Sequence, residues 1–177
     1  MKGIKNGDFA MTWGYPGSTN RYETSLGVKL ATDINNPTLV KLRDVRLKYM
    51  LVEMQKDPAV KLKLASNYAS IANYWKFYDG ETKQLLKYDI YGQKLKSEKN
   101  FIEWGSDKEA YRNVFSEWEK AYAAWRPYSM HRVYMSEGIF GSPLIGYAAS
   151  LSVLDAALNK TGATAEDRKK AAQIASE

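Results

Sequence analysis

Few residues in this 177-residue sequence could take part in acid–base or nucleophilic chemistry. His131 is the single histidine, and cysteine is absent, so thiol catalysis is excluded. A serine nucleophile needs a base within reach and a third group that orients the base. His131 precedes Arg132, whose charge disfavours a second positive charge on the imidazole, and nothing in the sequence assigns it a serine partner. We therefore interpret His131 as a structural or surface residue rather than a general base.

Ser142 is also better explained by structure than by chemistry. It precedes Pro143, and a serine followed by proline is typical of a helix N-cap and the first helical position. Neighbouring acids stand too close in sequence to share a helix face, which requires a spacing of three or four: Glu117 with Glu119, and Glu166 with Asp167. The glycines between residues 138 and 146 lack a phosphate-loop lysine. We assign no catalytic residue, no metal and no cofactor.

Asn73 lies on a predicted helix, away from the apolar face of that helix. A predicted helix over residues 58–78 carries one apolar stripe, made of Val60, Leu64, Tyr68, Ile71, Trp75 and Tyr78. At about 100° per residue, Asn73 falls nearly opposite the centre of that stripe, beside Leu62, Ser66 and Ala69. Small neighbours leave room for a ligand to approach the amide. From the residues alone, a hydrogen bond to a neighbouring helix or to water is the better explanation of Asn73.

One β-strand is predicted, at the N-terminal end. Phe9, Met11 and Trp13 alternate with smaller residues, and a sharp turn, Gly14-Tyr15-Pro16-Gly17, follows. Nothing later in the chain resembles a pairing strand, and an isolated strand leaves its backbone hydrogen-bonding groups unpaired. We therefore expect the chain to be cut from something larger, or the strand to pair with a second copy.

The remaining segments are predicted to be helical. After a connector over residues 25–35, Asn36 and Pro37 predict the N-cap and first position of a helix that ends near Lys56. Asp57-Pro58 starts the next helix, which Asp79-Gly80 ends, and residues 81–104 form another with Gly92 as its weak point. Ser106 and Glu109 have capping-box spacing for a helix that Pro127 interrupts or kinks. Two further helices are predicted, over 143–159 and from about Thr164 onward. The fold is therefore mainly α, a bundle or layered helical domain.

The composition fits a folded protein. Hydrophobic residues make up 45% of the chain and aromatic residues 13%, which is typical of a packed core. A formal net charge of +6 would attract an acidic partner if the cations were clustered. Lys41, Arg43, Arg46 and Lys48 instead alternate with apolar residues and have Asp44 among them, which indicates solvated helix faces. No apolar run is long enough to span a bilayer, and no signal-peptide pattern is present.

Three motifs carry a family resemblance. Gly14-Tyr15-Pro16-Gly17, the following Thr19-Asn20-Arg21-Tyr22, and Asn73-Tyr74-Trp75-Lys76 together resemble the bacterial dipeptidyl-peptidases of the S46 serine peptidase family. The resemblance implies a chymotrypsin-like double β-barrel with a helical domain inserted between its strands. On that basis residues 1–25 are the end of a barrel strand with its turn, and residues 26–177 are part of the helical cap domain.

The resemblance also implies a function and a site. The parent protein would release dipeptides from the N-termini of oligopeptides by a Ser, His and Asp mechanism without a metal, and would be periplasmic or attached to the cell surface. Asn73 matches the family asparagine that helps to hold the free α-amino group of the substrate. Tyr15, Pro16, Arg21 and Tyr22 would shape the crossing from barrel to insert. The chain would cap the cleft against the barrel domain and be inactive alone.

Two other classes of function remain open from the sequence. A non-enzymatic helical module that binds peptides or proteins would need its strand paired, for example in a homodimer. A basic scaffold for nucleic acid would bind heparin with a steep dependence on salt, whereas the dispersed charges favour no such site.

Overall fold

The protein is almost entirely helical in the computed structural model, which describes residues 3, 5–11, 14, 20–159, 162 and 164–176. The α-helices are α1 (Ser25–Leu30), α2 (Asn36–Lys56), α3 (Pro58–Lys87), α4 (Ile90–Gly105), α5 (Val114–Val133), α6 (Pro143–Leu158) and α7 (Ala165–Ser176). Two π-helical segments, Ala31–Asn35 and Tyr134–Ile139, continue α1 into α2 and extend α5. The prediction of a mainly α fold is therefore confirmed.

The predicted N-terminal strand is not confirmed. Residues 5–11 form no strand, and Phe9 is 90% and Met11 63% exposed, while Trp13 and most of the turn that follows it lie outside the described residues. The physical reason is that a single strand has no neighbouring strand to pair with its backbone donors and acceptors. The barrel remnant therefore has no counterpart in the described part of the chain.

The predicted connector over residues 25–35 is wrong, because this segment is helical. Thr24 caps α1 by accepting a hydrogen bond from the Gly27 backbone N–H at 3.1 Å. Asn36, predicted as an N-cap, lies within the continuous helix and is only 3% exposed. Pro37 is accommodated because the preceding π-helical segment departs from the regular α-helical hydrogen-bond pattern, where a proline lacks a donor.

The break between α2 and α3 lies at Asp57, as predicted, and the two helices pack against each other as an antiparallel hairpin. The Asp57 carboxylate accepts from the Ala59 N–H at 2.7 Å and caps α3. The predicted end of α3 at Gly80 is wrong, because the helix continues to Lys87. An i,i+4 ion pair between Lys83 and Asp79, 2.6 Å long, spans the glycine and supports the helix there.

The break between α3 and α4 lies at Asp89, not at Gly80 or Gly92. Asp89 adopts a left-handed conformation with φ of 45°, and its carboxylate accepts from the Gly92 N–H at 3.0 Å. A Cβ at Gly92 would lie 2.2 Å from the Asp89 carboxylate, so this glycine serves the cap. The predicted capping box at Ser106 is also wrong. The Ser106 hydroxyl donates to the Glu103 carbonyl at 2.8 Å, residues 106–113 form turns, and α5 begins at Val114.

The C-terminal half follows the predicted helices. Pro127 lies inside α5 without ending it, and the second π-helical segment directly follows α5. Helices α6 and α7 occupy the predicted segments. Among the described residues, no single helix is long and apolar enough to cross a bilayer. One pair of segments, Val114–Ile139 and Pro143–Ala156, has the required length and composition together, but the pair is bent by 89°.

A small core holds these helices together. The buried apolar residues are Val28, Leu30, Met54, Ile71, Val133 and Ala171. The predicted core stripe of α3 faces inward, with Ile71 at 5% exposure and the other members half-buried. The face of α3 beside this stripe, which shares Tyr78 with it, lines a groove.

Candidate functional site

A groove of about 970 Å³ lies between α3 on one side and α1, the first π-helical segment and α5 on the other. Residues on α3 reach it at helical spacings of three and four: Asn73, Tyr74, Phe77, Tyr78, Glu81 and Leu85. The facing wall includes Glu23, Tyr122, Trp125, Ser129, Arg132 and Glu137. A concave surface with aromatic walls and a few polar groups is the usual form of a ligand site.

The structure places Asn73 on the wall of this groove. Its side chain is exposed, as the helical pattern predicted, and the amide makes no hydrogen bond to any described residue. Tyr74 and Phe77, next to it, are 50% and 53% exposed. The amide can therefore donate to or accept from a ligand without breaking a bond within the protein.

Glu81 adds a carboxylate to the same wall. It lies eight residues after Asn73, which on a helix places it about 12 Å further along the axis. The buried Asn36 side chain donates to one Glu81 oxygen at 2.8 Å and so fixes the carboxylate. Within the described residues no lysine or arginine pairs with Glu81, so its charge is available to the groove. The sequence prediction missed Glu81 because it ended α3 at Gly80; the spacing from Asn73 was the signal that could have found it.

A second carboxylate in the groove, Glu137, is neutralised. Arg43 donates to it at 2.5 Å and Arg46 at 3.4 Å, and the side chain of Glu137 is only 16% exposed. Burial raises the pKa of neighbouring Tyr78 above its ordinary value of 10.0, although the charge of Arg43 acts in the opposite direction. Tyr78 is therefore a neutral phenol at physiological pH.

Near the mouth of the groove, Glu23 accepts a hydrogen bond from the Tyr122 hydroxyl at 3.0 Å. Burial, together with this carboxylate, raises the pKa of Tyr122 above 10.0, while a hydrogen bond with Thr24 acts in the opposite direction. Inside the groove, Ser129 is 2% exposed and its hydroxyl has no hydrogen-bond partner among the described residues. A buried hydroxyl of this kind leaves one donor for water or ligand.

The other residues considered from the sequence do not assemble into a catalytic group. His131 is exposed near the end of α5, and Ser142 lies at the N-cap position of α6 without making a side-chain cap. No hydrogen bond joins the two in the part of the chain described. No cluster of three or more potential metal ligands occurs among those residues either.

The crossing segment is only partly described. Tyr15 and Pro16 lie outside the described residues. Arg21 and Tyr22 line a smaller pocket of about 450 Å³ with Trp118 and Tyr122, and Lys94 donates to the Arg21 carbonyl at 2.6 Å. Arg21 makes no ion pair with a described acid.

The amino-acid sequence of this chain matches a known protein family. Residues 1–176 match the sequence profile of Peptidase S46. The chain is 36% identical over 175 residues to an Asp/Glu-specific dipeptidyl-peptidase of Capnocytophaga gingivalis, which covers 96% of this chain and 25% of that protein. It is 37% identical over 144 residues to a dipeptidyl-peptidase 7 of Porphyromonas gingivalis, covering 80% of this chain and 20% of the relative. The chain thus spans a quarter or less of the length of these relatives.

Proposed function

Since this chain belongs to the Peptidase S46 family, we propose that it is the helical cap of a serine dipeptidyl-peptidase. The two relatives described above are named as dipeptidyl-peptidases. In this proposal the parent protein removes dipeptides from the N-termini of oligopeptides. The helices cover the cleft, exclude folded proteins and internal segments, and bind the free N-terminal amine of the substrate.

The observation that carries the proposal is the free amide of Asn73 on the wall of the groove. The amide oxygen can accept a hydrogen bond from an ammonium group that keeps its charge. A hydrogen bond to a charged group contributes about 1.5 to 3 kcal/mol, roughly twice the contribution of a neutral one. Tyr74 and Phe77 beside it are exposed enough to contact the substrate chain.

Amine binding would set the length of the product. Two extended residues span about 7 Å. When Asn73 holds the amine, the second peptide bond of the substrate therefore lies at a fixed distance from Asn73. A substrate that satisfies both the amine site and the reacting carbonyl is cleaved after its second residue. A blocked N-terminus lacks the ammonium and loses this interaction.

The charges around the groove support the same proposal. Glu81 carries a charge without a cationic partner among the described residues, whereas Arg43 and Arg46 neutralise Glu137. A negative potential inside a cleft raises the local concentration of cationic groups. Glu81 therefore favours entry of a peptide N-terminus into the groove.

The proposal places the chemistry on another part of the parent polypeptide. A chymotrypsin-like barrel would supply the Ser, His and Asp residues and would be the partner of this helical domain, with the segment before Asn20 leading from one to the other. The oligopeptide is the substrate, no metal takes part, and the protein is periplasmic or surface-attached. Homodimer formation stays a prediction.

The test is an assay of the full-length polypeptide on two oligopeptides that differ only in N-terminal acetylation. Mass spectrometry should detect successive dipeptides from the free peptide and little or no cleavage of the acetylated one. Release of single amino acids, or equal cleavage of both peptides, would contradict the proposal. So would dipeptide release by the 177-residue chain alone that depends on His131 or Ser142.

A further inference from the structure

Arg43 joins three segments that are distant in the sequence. It lies on α2, donates to Glu137 of the second π-helical segment at 2.5 Å, and faces two tyrosine rings of α3. Its guanidinium carbon is 5.3 Å from the ring centre of Tyr74 and 5.7 Å from that of Tyr78. The side chain of Arg43 is 13% exposed, so these contacts are shielded from solvent.

The geometry is one that arginine alone provides. The two rings are stacked, with centres 6.4 Å apart and an interplanar angle of 29°, and a planar guanidinium can lie against both while its edge meets a carboxylate. The Arg43 Nε atom is buried without a hydrogen-bond partner among the described residues. In the position that contacts the two rings, one N–H group of Arg43 therefore lacks a hydrogen bond.

These contacts act on the turn of α3 that carries Asn73. Tyr74 is the next residue, and Tyr78 lies one turn further along, so the guanidinium holds the side of the helix that adjoins the amide. The same contact keeps Glu137 paired and withholds its charge from the groove. Without Arg43, the half-exposed ring of Tyr74 would be held only by its stacking on Tyr78.

We propose that Arg43 is a positioning residue for the substrate amine, acting through the ring of Tyr74. The inference rests on the proposed function of Asn73 and extends it to a residue outside the groove. Arg43 does not touch the substrate, and its effect falls on substrate binding rather than on the chemical step. The expected signature is a change in KM with little change in kcat.

The chain offers a matched control in Arg46. It lies on the same helix and contacts the same carboxylate at 3.4 Å, and none of the described aromatic rings lies against it. In Arg43→Met the carboxylate keeps Arg46, and in Arg46→Met it keeps Arg43. The two variants also differ in the length of the ion pair that is lost, and Arg46→Met additionally removes a hydrogen bond to the Gly141 carbonyl at 3.3 Å. The Tyr74→Leu background below therefore isolates the tyrosine contact.

The experiment measures kcat and KM of the full-length enzyme on a free-amine dipeptidyl substrate. Arg43→Met is expected to raise KM about tenfold, which corresponds to the loss of one favourable contact, and to change kcat less than twofold. Arg46→Met is expected to change KM less than twofold. Equal effects of both substitutions, or a fall in kcat at constant KM, would overturn the proposal. Thermal unfolding checks that both variants fold.

Two further variants keep the test decisive if Arg43→Met does not fold. Arg43→Lys retains the charge but has no planar face, so KM should still rise; a KM equal to that of the wild type would overturn the role of the stack. In a Tyr74→Leu background, Arg43→Met should add less than a twofold effect. A full tenfold effect there would show that Arg43 acts independently of Tyr74 and would also overturn the proposal.

Asn73→Ala separates this inference from the proposed function. If that substitution abolishes the preference for a free amine while Arg43→Met leaves KM unchanged, the amine site stands and the role of Arg43 is wrong. If Asn73→Ala leaves the preference intact, the proposed amine site is itself wrong.

Discussion

The walls of the groove and the C-terminal pair α6 and α7 are stabilised in different ways. Around the groove, polar side chains join segments far apart in the sequence: Ser25 with Glu98, Arg43 with Glu137, and Glu23 with Tyr122. In α6 and α7, described polar contacts are local, such as Asn159 with Asp155 and Lys170 with Glu166. The two C-terminal helices pack chiefly against each other.

The apolar side chains of α6 also differ from those of the groove walls, although Ala171 of α7 is buried. Ile71 of α3 and Val133 of α5 are buried at 5% and 8% exposure, whereas Leu144 and Tyr147 of α6 are 74% and 63% exposed. Long-range polar contacts fix the relative positions of the groove walls, because a buried carboxylate accepts hydrogen bonds in few geometries. The apolar surface of α6 is, under the proposed function, a face that the rest of the parent polypeptide would cover.

The largest expected effect on stability comes from a core substitution beside the groove, compared with a substitution in α6. Ile71→Ala should lower the free energy of unfolding by about 3 kcal/mol, since it leaves a cavity behind the α3 turn that carries Asn73. Leu144→Ala, at an exposed site, should change it by less than about 0.5 kcal/mol. Urea denaturation of both variants measures the two free energies of unfolding. Similar losses of stability would contradict the difference between the groove walls and α6.

A smaller effect is expected from the polar link between α4 and α1. The Glu98 carboxylate accepts from the Ser25 N–H at 2.6 Å and from its hydroxyl at 2.5 Å, and Ser25 is 2% exposed. Glu98→Gln should cost about 1.5 to 2 kcal/mol because it replaces a charged acceptor of two hydrogen bonds. Glu103→Gln, on an exposed part of the same helix, is the control. No difference between the variants would show that the link contributes little.

The smallest expected effect is a dependence of stability on alkaline pH. The pKa of Tyr122 is raised in the folded state, so the fold favours the neutral phenol. The resulting stabilisation is fully present below the unfolded pKa of about 10 and is lost as the pH rises through the raised folded value. Tyr122→Phe should therefore flatten the fall in unfolding free energy above about pH 10. Equal slopes in wild type and Tyr122→Phe would contradict the assignment.

Much of the helical fold could be predicted from local signals. Asp57-Pro58 gave the start of α3, and the periodicity of its apolar residues correctly placed Ile71 inside and Asn73 outside. The errors occurred where a tertiary contact outweighs a local preference. Asn36 has the chemistry of an N-cap, yet in the structure its amide is used for the Glu81 carboxylate, 45 residues away.

The groove itself could not be predicted in the same way. Its walls depend on pairs such as Arg43 with Glu137, separated by 94 residues, and no periodicity within one helix reports such a pair. The helix end predicted at Gly80 was wrong for a local reason, because glycine usually weakens a helix. In the structure α3 continues through Gly80, so Glu81 lies on the same helix as Asn73. The exposed position of Asn73 could be predicted from the sequence, but the residues around it could not.

The most direct test of the amine site compares two asparagines of α3 in the full-length enzyme. Asn73 lines the groove, while Asn67 is exposed on the same helix and does not line it. For Asn73→Ala, the ratio of kcat/KM for a free-amine substrate to that for its acetylated form should fall about 10- to 100-fold, the equivalent of one hydrogen bond to a charged group. Asn67→Ala should leave the ratio unchanged. An unchanged ratio in Asn73→Ala, with the enzyme folded and active, would contradict the assignment of Asn73 to the substrate amine.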